Sequence, residues 1–388
     1  MKKFLKTIPM KLWMILCALI VFTFFSNDFG LVDIQKTALV LAAGIDRTEE
    51  GFALTAQIAV PKGTDRTTGG TSSVEIEGSG ETVSECLADL YAKTGWVPKL
   101  VFCDLVILGE SAVREDTFDC LDYFLRNEYI PDSCLLAACE GSAKELLSST
   151  SAIDDTSALA LEKLFSDAAQ KSGYVMTTTL REFAIGYFGE SHSGYMPYVR
   201  AQTQEGNTQG QGGGQSSGDA QQQKPEEKIY TARETAIFSD GRMAALLSPE
   251  ETFAFSLLEG NVYAGTFTTD EKTYVILKNK GDISVRVQET PEIRLSILCK
   301  VQLFGESETA SPEHLAKGEL SPEEEARLSQ TLSECLTGLW NTCAESECDL
   351  LFFRRSLKRT SMEAYGRWKD LPLSSVAVSI DARAQSLK

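Results

Sequence analysis

The chain has 388 residues, of which 43% are hydrophobic and 24% are charged, and its formal net charge is -18. This length and balance are typical of two or three folded domains, each with its own hydrophobic core. The acidic charge argues against a nucleic-acid partner, because phosphate binding requires a positively charged surface.

The N-terminal segment, residues 1–30, has the pattern of a membrane anchor. Lysines at positions 2, 3, 6 and 11 precede an uncharged apolar run at 12–27, and the first acidic residue is Asp28. Basic residues before such a run favour a cytoplasmic N-terminus and an exported body. No small-residue cleavage site follows the run, and bulky Leu16 precedes Cys17. We therefore expect a retained helix rather than a cleaved signal or an acylated cysteine.

Residues 31–201 predict a first module in which strands alternate with helices. Two β-rich runs, 37–45 and 52–60, flank a polar gap that ends in glycine, which predicts a hairpin. Further strands are expected at 73–76, 100–108 and 133–139. Apolar residues at helical spacing predict helices at 81–94, 111–126, 142–147, 156–170 and 177–188.

Residues 202–227 are rich in Gly and Gln and lack large apolar side chains, a composition that predicts a disordered linker. A second α/β module is expected at 228–388. It opens with strands at 228–238 and 242–247, and four strand-like runs are expected between 262 and 303.

The sequence Ser-Pro-Glu-Glu occurs twice in the second module, at 248–251 and 321–324. A serine cap, a proline in the first turn and a glutamate three residues after the cap predict a helix start. The second copy begins the longest predicted helix. Another helix is expected at 348–359 and a last strand at 375–384. The pattern as a whole predicts a mixed α/β or α+β fold, with several small mixed sheets covered by helices and preceded by one membrane-anchoring helix.

The sequence contains none of the usual catalytic signatures. Glycine-rich nucleotide loops, a nucleophile elbow and a zinc-protease helix are absent. The two histidines, His192 and His314, lie in polar segments that favour exposed loop positions. A carboxylate pair could act as in glycosidases, but nothing distinguishes one pair among 55 acidic residues. We expect no enzymatic activity, no cofactor and no metal site.

Ten cysteines are present without a CxxC pair, and most fall in predicted helices and strands. This placement favours buried free thiols over metal ligands. The sequence leaves open a disulfide between Cys343 and Cys348, or between Cys335 and Cys343.

One basic cluster stands out in the acidic chain, and it consists of Arg354, Arg355, Lys358, Arg359, Arg367 and Lys369. One interpretation is a solvated helix face that pairs with the acidic residues 323–325. The other is a docking surface for an acidic partner or for lipid headgroups. Because Arg and Trp are enriched at interface hot spots, the candidate partner-binding residues are Arg354, Arg355, Lys358, Arg359 and Trp368.

Several short segments, in this order, carry a family resemblance. They are Gly44-Ile45-Asp46 at the end of the opening strand, Ala56-Gln57-Ile58 in the second strand, Gly109-Glu110 before a helix, Ala236-Ile237-Phe238, and Asp349-Leu350-Leu351-Phe352-Phe353-Arg354. Their order and spacing resemble the Ger(x)C family, the C subunit of bacterial spore germinant receptors.

The resemblance implies a non-enzymatic, membrane-anchored receptor subunit that acts in the germination response to nutrients. It further implies two membrane-embedded partners, the A-type and B-type subunits, at the inner spore membrane. Family members typically carry an acylated cysteine just before the opening strand, whereas residues 26–30 contain none. The apolar helix is therefore expected to replace the lipid. The alternative is a stand-alone, membrane-tethered, extracytoplasmic solute-binding or sensor module.

Overall fold

The computed structural model describes residues 8–26, 37–60, 72–151, 154–203, 227–260, 262–269, 272–306 and 320–386. Helices and strands are interspersed along these residues, and the strands form two sheets, so the expected mixed α+β class is confirmed. The predicted linker lies outside the described residues over 204–226.

Helix α1 spans Ile8–Ser26 within the predicted anchor, whose other residues lie outside the described part of the chain. Its apolar side chains Leu12, Trp13, Met14 and Ile15 are each between 64% and 69% exposed. Among the residues that the structure describes, no helix meets the length and hydropathy required to cross a membrane.

The larger sheet contains the strands of the first module. Their bounds are β1 Thr37–Thr48, β2 Gly51–Val60, β3 Ser72–Gly80, β4 Val97–Lys99, β5 Leu105–Leu108, β6 Leu135–Cys139, β7 Thr150–Ser151, β8 Thr178–Thr179 and β9 Ser193–Thr203. The hairpin predicted from the polar gap is confirmed, since β1 and β2 pair antiparallel up to Thr48 and Gly51. The central strands β1, β5, β6 and β9 run parallel to one another.

Helices pack on both faces of this sheet. They are α2 Val83–Thr94, α3 Glu110–Val113, α4 Phe118–Arg126, α5 Ala143–Ser148, α6 Ser157–Leu164, α7 Asp167–Lys171 and α8 Leu180–Tyr187. Two hydrophobic core clusters lie on opposite faces of the sheet. Successive residues of β5 and β6 belong to one cluster and then the other, because side chains of a strand alternate between its two faces. Continuous apolar runs in these strands therefore reflect burial on both faces.

Three predicted elements of the first module are interrupted, and one of them is the helix expected at 156–170, which breaks at 165–166 between α6 and α7. The strand expected at 100–108 is divided, because Leu100–Phe102 forms a 3-10 turn and only Leu105–Leu108 is extended. The helix expected at 111–126 breaks between α3 and α4. At this break the backbone N–H of Thr117 donates to the Gly241 carbonyl oxygen at 2.9 Å, and the Thr117 hydroxyl donates to the same oxygen at 2.8 Å, so a contact with a distant turn replaces a helical hydrogen bond.

The larger sheet continues past the segment 204–226. Strands β10, Glu227–Ser239, and β11, Arg242–Leu247, follow that segment, and β10 pairs antiparallel with β9 from Lys228↔Thr203 to Ser239↔Ser193. The start of the second module is therefore built into the sheet of the first.

The smaller sheet has the order β12-β13-β14-β15, with bounds Gly265–Thr269, Lys272–Val287, Pro291–Glu306 and Ala377–Ser386. Three strands therefore occupy the described residues between 262 and 306, where four runs were expected. Gly281 does not break β13. A Cβ there would lie 1.9 Å from the Leu258 carbonyl oxygen, so glycine permits a close approach of helix to strand.

In the described part of the second module the α-helices are α9 Pro249–Glu259, α10 Pro322–Glu345, α11 Phe353–Thr360 and α12 Met362–Trp368. Both Ser-Pro-Glu-Glu starts form full capping boxes at Ser248 and Ser321, as predicted. The helix expected at 348–359 begins later, because Phe352 has a left-handed backbone with φ 54°. One core cluster joins α9, α10 and the smaller sheet to Ile237 and Leu247 of the larger sheet.

Candidate functional site

The basic segment is positioned by a buried aspartate. Asp349 is 2% exposed, and its carboxylate accepts backbone N–H bonds from Phe353 at 2.6 Å and Arg354 at 2.9 Å. These bonds satisfy two donors at the first turn of α11. Burial raises the pKa of Asp349 above its ordinary value, although Arg354 and the backbone donors oppose that effect.

Arg354 is held by contacts within the fold. Its side chain is 20% exposed, its guanidinium nitrogen lies 3.7 Å from an Asp349 carboxylate oxygen, and its Nε donates to the Lys369 carbonyl oxygen at 3.0 Å. Arg354 thus links the start of α11 to the end of α12. Trp368, the aromatic member of the candidate partner-binding residues, is half-buried and packs against the core of the second module.

Lys358 joins α11 to the first module. Its Nζ donates to a Glu190 carboxylate oxygen at 2.5 Å and lies 5.7 Å from the centroid of the Tyr365 ring. The hydrogen bond raises the pKa of Lys358 and lowers the pKa of Glu190. The start of β9, just after this loop, makes a second contact, since the Ser193 hydroxyl donates to the Asp349 carbonyl oxygen at 2.7 Å.

The remaining basic residues form an exposed surface, which we call the basic surface: Arg355, Arg359, Arg367 and Lys369. The Arg355 guanidinium lies 5.8 Å from the Phe352 ring centroid, and Arg367 lies 3.7 Å from exposed Glu363. The basic cluster therefore divides into two internally bonded residues, Arg354 and Lys358, and four that face solvent.

The acidic residues 323–325 were considered as partners of this cluster, but two of them bond elsewhere. Glu324 lies 2.9 Å from the Nζ of Lys272, and Glu325 accepts the Ser386 N–H at 2.7 Å. Two of the three acidic residues therefore have other partners, and Arg355 and Arg359 of α11 face solvent.

The histidine and cysteine side chains have no catalytic arrangement in the described residues. His192 is exposed and its Nδ1 lies 3.0 Å from the Tyr187 carbonyl oxygen, while His314 lies outside the described part. All ten cysteines are free thiols, including Cys335, Cys343 and Cys348. Burial raises the pKa of Cys348 to about 12, which makes this thiol a poor nucleophile at neutral pH. Within the described residues, no group of three side chains could hold a metal ion.

Two segments that carry the family resemblance meet at one end of the larger sheet. The Asp46 carboxylate accepts bonds from the Ala143 N–H at 2.9 Å and the Ser142 hydroxyl at 2.8 Å, so it caps α5. A Cβ at Gly109 would lie 1.9 Å from the same carboxylate. Asp46 and Gly109 therefore serve helix packing, and their pattern requires no substrate.

Two family models match the chain. The spore germination protein N-terminal domain matches residues 31–201, and the spore germination B3/GerAC-like C-terminal domain matches residues 233–385. The curated proteins contain no match. Among solved structures, the crystal structure of the GerBC protein is similar, with a TM-score of 0.53 and 16% identity over 89% of this chain and 97% of that chain. At this identity the likeness shows a shared fold.

Proposed function

Because the chain belongs to the GerAC-like family of spore germination proteins, we propose that it is a non-enzymatic, membrane-anchored subunit of a spore germinant receptor. The observation that carries the proposal is the match of both halves of the chain, in order, to the two domains of that family. The similarity of the fold to the GerBC protein supports it.

We propose that α1 attaches the body to the inner spore membrane. Its support is the run of apolar side chains from Leu12 to Leu16, each of which is exposed. Transfer of such side chains into lipid is favourable at about 25 cal/mol per Å² of apolar surface. The mature protein from spore membranes should retain Met1 or a residue next to it. A new N-terminus near residue 26, or an acylated Cys17, would contradict this anchor.

The partners in this proposal are the membrane-embedded A-type and B-type receptor subunits. The chain carries a net charge of -18, so the basic surface is a local site of attraction for an acidic partner. Its arginines combine a flat, multivalent donor group with large contact area, which is why arginine is enriched at interface hot spots.

Copurification tests the assembly. A tagged chain, extracted from spore membranes in mild detergent, should bring down the A-type and B-type subunits together. An extract that contains both subunits, from which the tagged chain is recovered alone, would refute the receptor assignment.

A further inference from the structure

One end of the larger sheet exposes a group of large apolar side chains, which we call the apolar end. Its members are Leu39 of β1, Trp96 just before β4, Val101 and Phe102 of the 3-10 turn, and Tyr129 in the loop before β6. Their exposed fractions range from 41% to 65%. Single exposed apolar residues are ordinary, whereas a contiguous group marks a contact surface.

Strand pairing and side-chain contacts bring these residues together. β4 pairs parallel with the first three residues of β1, so Trp96, which directly precedes β4, lies where β1 begins. The Nζ of Lys99 in β4 lies 5.9 Å from the Tyr129 ring centroid. Leu39 and Phe102 line one cavity of about 210 Å³. The apolar end is therefore one surface rather than a set of scattered side chains.

The same end of the sheet is where the anchor joins the body. Ten residues, 27–36, connect the end of α1 at Ser26 to the start of β1 at Thr37. A fully extended chain of this length spans at most about 36–40 Å. With α1 in the membrane, as proposed above, the start of β1 lies no farther than this from the point where α1 leaves the lipid.

The composition of the apolar end suits the interfacial region of a bilayer. Trp and Tyr are enriched at that depth, because their rings are apolar while their N–H or O–H group stays hydrated. Lys99, beside Tyr129, fits the same depth, since a lysine stem lies along apolar groups while its ammonium group reaches water.

The charges around the apolar end favour a contact made by the rings. Asp132, in the same loop as Tyr129, pairs with Arg181 at 3.1 Å. Asp104 and Glu128 are exposed in this region, so anionic headgroups gain no attraction there. We therefore expect the contact to depend on apolar insertion and to be insensitive to salt.

We propose that the apolar end is a membrane-contact surface, which lies in the interfacial region of the bilayer that holds α1. This inference rests on the proposed anchoring by α1 and adds the orientation of the body. The starts of the parallel strands β1, β5 and β6 face the lipid, and the β1–β2 hairpin faces away from it.

Quenching by brominated lipid tests the contact. The chain has tryptophans at positions 13, 96, 340 and 368, of which Trp13 lies in α1. Full-length Trp13→Phe protein in phosphatidylcholine nanodiscs should lose part of its fluorescence when lipid brominated near the headgroup replaces ordinary lipid. Further substitution Trp96→Phe should remove that loss, because Trp340 and Trp368 pack in the core of the second module.

Two reporters in the Trp13→Phe, Trp96→Phe background determine the orientation. Tyr129→Trp should restore the quenching. Thr48→Trp, at the exposed β1–β2 hairpin, is the matched control and should not restore it, because β1 carries this position about 36 Å from the start of the strand. Thermal melting checks that each variant is folded.

Trp13 separates this inference from the anchoring itself. If Trp13 is not quenched in Trp96→Phe protein, α1 does not lie in the bilayer, and the proposed anchoring fails together with this inference. If Trp13 is quenched while Trp96 and Tyr129→Trp are not, the anchoring stands and the membrane-contact surface is overturned. Equal quenching at positions 48 and 129 would overturn the proposed orientation.

Discussion

The ammonium group of Lys358 lies 2.5 Å from a carboxylate oxygen of Glu190, and this pair ties α11 to the loop that precedes β9. The two residues are 168 positions apart in the chain. The orientation of the basic surface therefore depends on contacts with the first module as well as on its own helix.

The Glu190–Lys358 pair should make only a small contribution to stability. Both side chains are partly exposed, and ion pairs at such positions are screened by water and salt. Lys358→Met, Glu190→Gln and the double variant should each lower the midpoint of urea unfolding less than Asp349→Ala does. The interaction energy between the two residues, obtained from the double-mutant cycle, should decrease in high salt. An interaction energy between Glu190 and Lys358 that is unaffected by salt would contradict this interpretation.

Asp349→Ala should be strongly destabilising. The substitution leaves two N–H groups without their acceptor and removes the partner of half-buried Arg354, a loss of about 2–3 kcal/mol in the free energy of unfolding. Asp370→Ala, at an exposed aspartate beyond α12, is the control and should change that free energy by less than about 0.5 kcal/mol. Equal effects of the two substitutions in urea unfolding would refute the role given to Asp349.

The raised pKa of Asp349 predicts a pH dependence of defined sign. A carboxyl group whose pKa is higher in the folded state binds protons more tightly there, so its contribution is greatest below the unfolded pKa of about 3.9 and declines as pH rises through the folded value. Relative to the Asp349→Asn variant, the parent should therefore lose stability as pH rises from about 4. A difference that is constant with pH, or of opposite slope, would contradict the raised pKa.

Reversal of the exposed charges tests the basic surface. Arg355→Glu with Arg359→Glu should abolish copurification with the A-type and B-type subunits and leave the melting temperature nearly unchanged, because both side chains face solvent. The control is Arg242→Glu with Arg286→Glu, which makes the same change in net charge at two exposed arginines elsewhere. If both pairs abolish copurification, net charge rather than the basic surface is responsible.

Thiol labelling tests the cysteine assignment. Eight of the ten cysteines are buried, while Cys17 and Cys335 are partly exposed. In the folded protein an alkylating reagent should therefore modify Cys335 first, outside the detergent-covered α1, and the buried thiols only after unfolding. Denatured protein should yield ten thiols without reductant. A yield of eight thiols instead of ten would indicate a disulfide such as Cys343–Cys348.

The local signals of the sequence predicted the fold well where local chemistry decides the structure. The β1–β2 hairpin and both Ser-Pro-Glu-Glu helix starts are confirmed, because turn residues and capping residues act within a few positions. The breaks at 103–104, 114–117 and 165–166 were missed. Thr117 bonds Gly241, and no local pattern near 117 reveals a partner so far along the chain.

The candidate site was predicted only in part. The clustering of basic residues was evident from the sequence, but their division into bonded and exposed groups was not. Asp349, five residues before Arg354, offered one signal, because an aspartate just before a helix often accepts its first N–H groups. Glu190 could not be found in this way, since its contact with Lys358 depends on the packing of the two modules.

The pairing of β9 with β10 has a consequence for how the chain can vary. Because Thr203 and Lys228 are paired neighbours, the segment 204–226 starts and ends at almost the same point in space. Added residues there need not span any greater distance, and each doubling of the loop costs only about 0.6 kcal/mol of closure entropy. The same site is suited to new chain ends, as in a circular permutant, since the sheet rather than the covalent connection holds its two sides together.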